Sequence, residues 1–213
     1  MGFIHEYLPP AAGAGAAGRV TLLLLHGTGG DETDLIPLGQ DLLPGAAILS
    51  PRGKVLEGSA PRFFRRLAEG VLDQEDLALR TEELVRFIEA AIRTYQLDAK
   101  HLYAVGLSNG ANIASSVLLR RPGLLRGAVL LSPMVPFEPD SLPDLRRTGV
   151  FIGAGRTDRM VPPEQAERLG ALLRRAGAEV TLQWHPGGHT VARSEVDAAR
   201  AWITAAVSVP ARE

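Results

Sequence analysis

Leu102-Tyr103-Ala104-Val105-Gly106-Leu107-Ser108-Asn109-Gly110-Ala111-Asn112 is the stretch that decides the reading of this chain. Its first four residues form a short apolar run, as in a buried strand, and residues 111–121 read as a helix. Between them, Gly106 to Gly110, lies the pattern G-x-S-x-G. A serine held on a tight strand-to-helix turn has its hydroxyl lifted clear of the backbone. Glycines two positions before and after it let strand and helix approach closely. The pentapeptide arises by chance in a chain with 23 glycines, so its meaning rests on its flanks and on partners further along.

The same alternation of strand and helix runs outward in both directions. Strands are expected at 19–25, 46–50, 101–105, 127–131, 150–153 and 179–184, with another near 3–7. Four of them are almost continuously apolar, as in a parallel sheet covered by helices on both faces. Leu84, Ile88, Ala91 and Tyr95 repeat at helical spacing, as do Ala166, Leu169, Leu172, Leu173 and Ala176. The second of these helices opens at Pro162-Pro163-Glu164 and stops at Gly177. A last helix carries Val196, Ala199, Trp202, Ile203 and Ala206, with Ser194 and Asp197 spaced as a capping box. The sum is a doubly wound α/β fold, mostly parallel in its sheet, in one domain over residues 1–213. The Ala/Gly stretch 11–18 reads as a loop. Residues 52–73 carry no usable period.

Composition narrows the function. Basic and acidic side chains number 23 and 24, a net charge of −1, which gives no field for nucleic acid or an anionic membrane. With no cysteine there is no disulfide, thiolate metal site or cysteine nucleophile. No apolar run approaches the roughly 18 residues of a membrane span. Met1 to Glu6 lack the features of a signal peptide, so a cytoplasmic location is expected.

A serine hydroxyl needs a general base within hydrogen-bond reach, and the base needs a group to orient it. After a nucleophile elbow the order along the chain is acid, then histidine. Asp158, in Gly155-Arg156-Thr157-Asp158, follows the strand at 150–153 and is the candidate acid, ahead of Asp140 and Asp144 in a proline-rich loop. His189, in Pro186-Gly187-Gly188-His189-Thr190, is the candidate base, with His185 as its rival. His5, His26 and His101 precede the serine and read as structural histidines. A developing oxyanion would be held by the N–H of Asn109, the residue after the serine. A second N–H is expected in His26-Gly27-Thr28-Gly29-Gly30, from Thr28 or alternatively Gly29.

Other features have plainer readings. Gly27 to Gly30 match neither phosphate-binding glycine signature, and no cluster has metal-ligand spacing, so neither a cofactor nor a metal is expected. Asp31-Glu32 reads as the cap of a following helix. Arg62-Phe63-Phe64-Arg65-Arg66 reads as a helix edge whose aromatics pack inward. The alternative is a pocket wall from Arg62, Phe63 and Phe64, or a grip on an anionic substrate group. Met134-Val135 and Met160-Val161 lie just past strand ends, where ligands of α/β folds bind, and fit a pocket wall or the core.

His26-Gly27-Thr28-Gly29-Gly30-Asp31-Glu32, the elbow, Gly155-x-x-Asp158 and Gly188-His189 together resemble the carboxylesterase/phospholipase group of α/β-hydrolases, which includes the acyl-protein thioesterases. Pro61 to Leu67, Ser108 to Asn112 and Pro133-Met134-Val135-Pro136 are similar to the small bacterial carboxylesterases linked to quinone resistance. The resemblance spans residues 3–203. It implies a lidless serine esterase for small esters of short to medium acyl or aryl groups. Ser108 would be nucleophile, Asp158 acid and His189 base, with Thr28 and Asn109 as oxyanion donors and a homodimer as the assembly. The thioesterases of the group usually carry glutamine after the serine; here Asn109 favours the small-molecule branch.

Overall fold

Among residues 2–208, which the computed structural model describes, the chain forms β1 (His5–Leu8), β2 (Thr21–Leu25), α1 (Ile36–Leu42) and β3 (Ala47–Pro51). Four short strands follow: β4 (Val55–Glu57), β5 (Ala60–Arg62), β6 (Arg66–Ala68) and β7 (Val71–Leu72). Then come α2 (Gln74–Tyr95), β8 (Leu102–Leu107), α3 (Asn109–Arg120), β9 (Gly127–Leu131) and β10 (Gly149–Gly155). The chain ends in α4 (Pro163–Arg175), β11 (Glu179–His185) and α5 (Arg193–Ser208). Seven strands make one sheet, ordered β1-β3-β2-β8-β9-β10-β11. All neighbours are parallel except β1, which runs antiparallel along β3.

Side chains alternate faces along a strand, and that alternation assigns the two halves of the core. Leu22 and Leu24 of β2, Val105 of β8, Val129 and Leu131 of β9 and Phe151 of β10 pack with α1 and α5. Leu23 and Leu25, Ala104, Ala128 and Leu130, and Ile152 pack on the other face with α2, α3 and α4. Every residue of β2, β3 and β9 is buried, which explains why these strands are apolar without alternation. Each buried leucine contributes about 2 kcal/mol of transfer free energy.

Three local expectations are corrected. The run Arg62–Arg66 is not a helix edge: the surrounding residues form two hairpins, β4–β5 and β6–β7, outside the main sheet. Phe63 and Phe64 occupy the bent link between them and turn into the core, 2% and 0% exposed. The second hairpin ends at Asp73, whose carboxylate accepts from the Asp76 N–H at 3.0 Å and starts α2. Asp31 does not cap α1; it accepts from the backbone and hydroxyl of Thr33 in a turn, while Glu32 pairs with Arg52. Ser194 lies inside α5 rather than before it. The cap residue is Ala192, whose N–H reaches the Glu195 carboxylate at 3.3 Å, and Asp197 pairs instead with Arg193 and Arg200.

Candidate active site

Five loops meet at the C-terminal ends of β2, β8, β9, β10 and β11, beside the point where strand order reverses between β2 and β8. Ser108 stands at the end of β8 with φ +51° and ψ −111°, a conformation costly for any residue with a side chain. The surroundings enforce it. Its N–H donates to the Leu131 carbonyl at 2.8 Å, and its own carbonyl accepts from Asn112 at 3.0 Å. A Cβ at Gly110 would run into the Leu25 carbonyl, and one at Gly106 into the backbone of Ala111, so only glycine fits at both positions.

His189 Nε2 lies 3.0 Å from Ser108 Oγ, and His189 Nδ1 lies 2.7 Å from Asp158 Oδ2. The pairing is satisfied when Nδ1–H donates to the carboxylate and Nε2 accepts from the hydroxyl. The second oxygen of Asp158 accepts from the N–H groups of Met160 and Val161 at 2.8 and 2.9 Å, which fixes the carboxylate plane. The two loops are also tied by backbone: Arg156 N–H to the His185 carbonyl at 2.9 Å and Thr157 N–H to the Gly187 carbonyl at 3.1 Å. Gly155 sits against the carbonyls of Gly187 and Gly188, where no side chain fits. The rival His185 points into the protein and accepts from the Gly187 N–H at 3.1 Å, shaping the turn that carries His189.

The Gly29 N–H donates to the Pro61 carbonyl at 2.9 Å. Among the described residues, the N–H groups of Thr28 and Asn109 donate to no other group, and both residues line the cleft beside Ser108. The Asn109 side chain is buried, and its Oδ1 accepts from the Phe63 N–H at 2.8 Å.

The cleft encloses about 350 Å³. Arg62, Met134, Met160 and Val161 stand in its wall; Phe63, Phe64 and Val135 do not. The two phenylalanines and Val135 pack on the core shared with α2 and α3, because the link between the hairpins faces its aromatics toward the sheet. Arg62 donates through Nε to the Phe64 carbonyl and through Nη1 to Glu57, and burial pulls its pKa below the ordinary value. Arg66 pairs with the same Glu57. Arg66, from the run whose alternative reading was a pocket wall, also stands there; sequence reasoning missed Leu72, Asn112 and Val191. Asn112 was within reach, since it lies four residues past Ser108 on one helix face and its Oδ1 accepts from Met134 at 2.7 Å. The other two sit on hairpin and loop, where periodicity carries no signal.

Among the described residues no group of three or more His, Cys, Asp or Glu side chains could hold a metal, and no helix is long and apolar enough to cross a membrane.

The profile of the Dienelactone hydrolase family matches residues 65–206. The putative hydrolase MhqD of Bacillus subtilis (strain 168) is 48% identical over 186 residues, 87% of this chain and 93% of that protein. The solved Bacillus cereus carboxylesterase superimposes with a TM-score of 0.92 at 43% identity, covering 96% of this chain and 95% of the other. A carboxylesterase from Mesorhizobium loti gives a TM-score of 0.84 at 34% identity over 91% and 92% of the two chains. With elbow, fold and relatives in agreement, the chain belongs to the dienelactone hydrolase family and is an ester hydrolase of the α/β-hydrolase carboxylesterase group.

Proposed function

We propose that the protein is a serine carboxylesterase acting on small esters of short to medium acyl or aryl groups, with Ser108 as nucleophile. The observation that carries this reading is the unbroken hydrogen-bonded chain from Ser108 through His189 to Asp158. His189 takes the Ser108 proton as Oγ attacks the ester carbonyl, and Asp158 holds the imidazolium that results. The tetrahedral oxyanion accepts from the N–H groups of Thr28 and Asn109, two donors that line the cleft beside Ser108. His189 then returns the proton to the leaving alkoxide, and the alcohol departs from an acyl-Ser108 ester. Water, deprotonated by His189, attacks that ester. The acid leaves and the serine is regenerated. No step requires a metal or cofactor.

A cleft of about 350 Å³ with methionine, leucine and valine in its wall suits an apolar acyl or aryl group of modest size.

The test is hydrolysis of p-nitrophenyl esters from acetate to palmitate by wild type and Ser108→Ala. Turnover peaking at short to medium chains and lost in the variant is expected. Turnover retained by Ser108→Ala would overturn the assignment. A wild type active only on thioesters would move the substrate class.

A further inference from the structure

We propose that His26, in the tautomer with its proton on Nδ1, is a positioning residue that aims the Thr28 N–H into the oxyanion hole. The proposal rests on the serine-esterase reading above and assigns a role to a buried group that the reading leaves unused.

The argument starts from the peptide bond. A trans peptide is planar, and its C=O and N–H point in opposite directions. The Thr28 N–H and the Gly27 carbonyl belong to one peptide, so whatever grips that carbonyl sets the direction of that N–H. The grip is His26 Nδ1, 2.7 Å from the Gly27 oxygen. The other ring nitrogen fixes the proton. Nε2 lies 2.9 Å from the Gly53 nitrogen, and a backbone N–H only donates, so Nε2 must be an acceptor and carry no hydrogen. The proton is therefore on Nδ1, where the Gly27 carbonyl accepts it. An imidazolium would turn Nε2–H against the Gly53 N–H and break this arrangement.

The ring is held still. It is 1% exposed, and its centroid lies 4.7 Å from that of Phe63. Burial lowers the His26 pKa below its ordinary value, against the opposing pull of Asp34, Asp31, Glu32 and the Gly27 carbonyl. Gly53, the partner of Nε2, lies where a Cβ would strike the Arg62–Phe63 peptide. That peptide donates from Phe63 to the Asn109 side chain, while Pro61 accepts from Gly29. One strap, residues 61–63, is thus pinned to both donor-bearing segments, and His26 ties the peptide of Thr28 to Gly53, which packs against that strap. The spacing between the Thr28 and Asn109 donors is set by this circuit.

Two substitutions separate positioning from packing. The amide nitrogen of asparagine can stand where Nδ1 stands, whereas glutamine reaches toward Nε2. In steady-state kinetics on the ester that wild type prefers, H26Q should lose kcat by about 10²-fold, as when one oxyanion donor is removed. Its KM should stay within about threefold of wild type, because the ground-state carbonyl depends less on the hole. H26N should recover to within about tenfold of wild-type kcat, although it loses the Gly53 bond that glutamine can keep. A trifluoromethyl ketone, whose hemiketal oxygen occupies the hole, should weaken in H26Q by the same factor as kcat/KM.

Equal losses in the two variants, or a loss confined to KM or to thermal stability, would overturn the proposal. Should both variants fail to fold, nitrogen chemical shifts of His26 in the wild-type protein decide. The Nδ1–H form near neutral pH is expected, and an Nε2–H form or an imidazolium sinks the idea. The parent reading fails separately, by turnover that does not depend on Ser108.

Discussion

His185 Nε2 stands 3.8 Å from Glu195 Oε2, and both side chains are 1% exposed. Among the described residues neither His185 Nε2 nor Glu195 Oε1 has a hydrogen-bond partner, and burial pushes the Glu195 carboxyl up to about 7. The folded state therefore holds this proton more tightly than the unfolded chain, whose carboxyl titrates near its ordinary value. The stability is present below about pH 4.5 and is lost as pH rises through about 7, by an order of 3 kcal/mol at most. Glu195→Gln keeps the shape without the charge. Its urea midpoint should exceed that of wild type at pH 8 and converge with it at pH 5. A difference independent of pH would count against the buried acid.

For His26 the sign is opposite. Its folded pKa is lowered, so below about pH 6.5 the unfolded chain takes up a proton that the folded chain refuses. Stability falls as pH drops through that value. Comparing wild type with His26→Asn between about pH 7 and pH 5 should show the decline in wild type and a flatter curve in the variant.

Asp158→Asn should leave the fold intact and lower kcat by about 10³-fold or more, because the amide presents the wrong hydrogen-bond pattern to His189 Nδ1. The double variant with Ser108→Ala should be no slower than Ser108→Ala alone. Near-normal turnover by Asp158→Asn would reassign the acid.

Gly110→Ala should be worse than most surface changes are, costing about 3 kcal/mol or more. The added methyl would enter the space of the Leu25 and His26 carbonyls, so strand β2 and helix α3 must separate. Chemical denaturation reads the loss of stability, and a fluorophosphonate probe reads the loss of a reactive Ser108. An alanine variant of wild-type stability would mean that the elbow has room.

Met160 is 45% exposed at the cleft wall. Met160→Trp should narrow the cleft, lowering kcat/KM for the longest accepted ester by about tenfold and leaving acetate near wild type. An unchanged chain-length profile would place the acyl group elsewhere.

The parts of this fold that are legible in sequence are those governed by period and punctuation. The strands β2, β3, β8, β9 and β10 announce themselves as apolar runs, β11 by alternation, and α4 by Pro162-Pro163 and Gly177. The elbow, Asp158 and His189 are legible because each follows a strand in a fixed order. The cleft wall is legible only in part: Met134, Met160 and Val161 are named by their places just past strand ends, whereas the hairpin side is not. Arg62 and Phe63 are adjacent in sequence, yet one faces the cleft and the other the core, an outcome decided by long-range bonds to Glu57 and Asn109. The start of α5 misleads for a similar reason: Glu195, rather than Asp197, closes back on the chain, and the serine that suggests a cap lies two residues too late.

The hairpins β4–β5 and β6–β7 stand apart from the seven-stranded sheet, while Ser108, Asp158 and His189 hang from the sheet itself. Rigidity and selectivity are therefore separable in this molecule. The tip of the second hairpin, Glu69-Gly70, is exposed, has φ +75° at the glycine, and leaves open space where a side chain would go. Lengthening it adds only a small loop-closure cost. New substrate ranges can then be explored at that tip while the strand ends holding Ser108, Asp158 and His189 stay as they are.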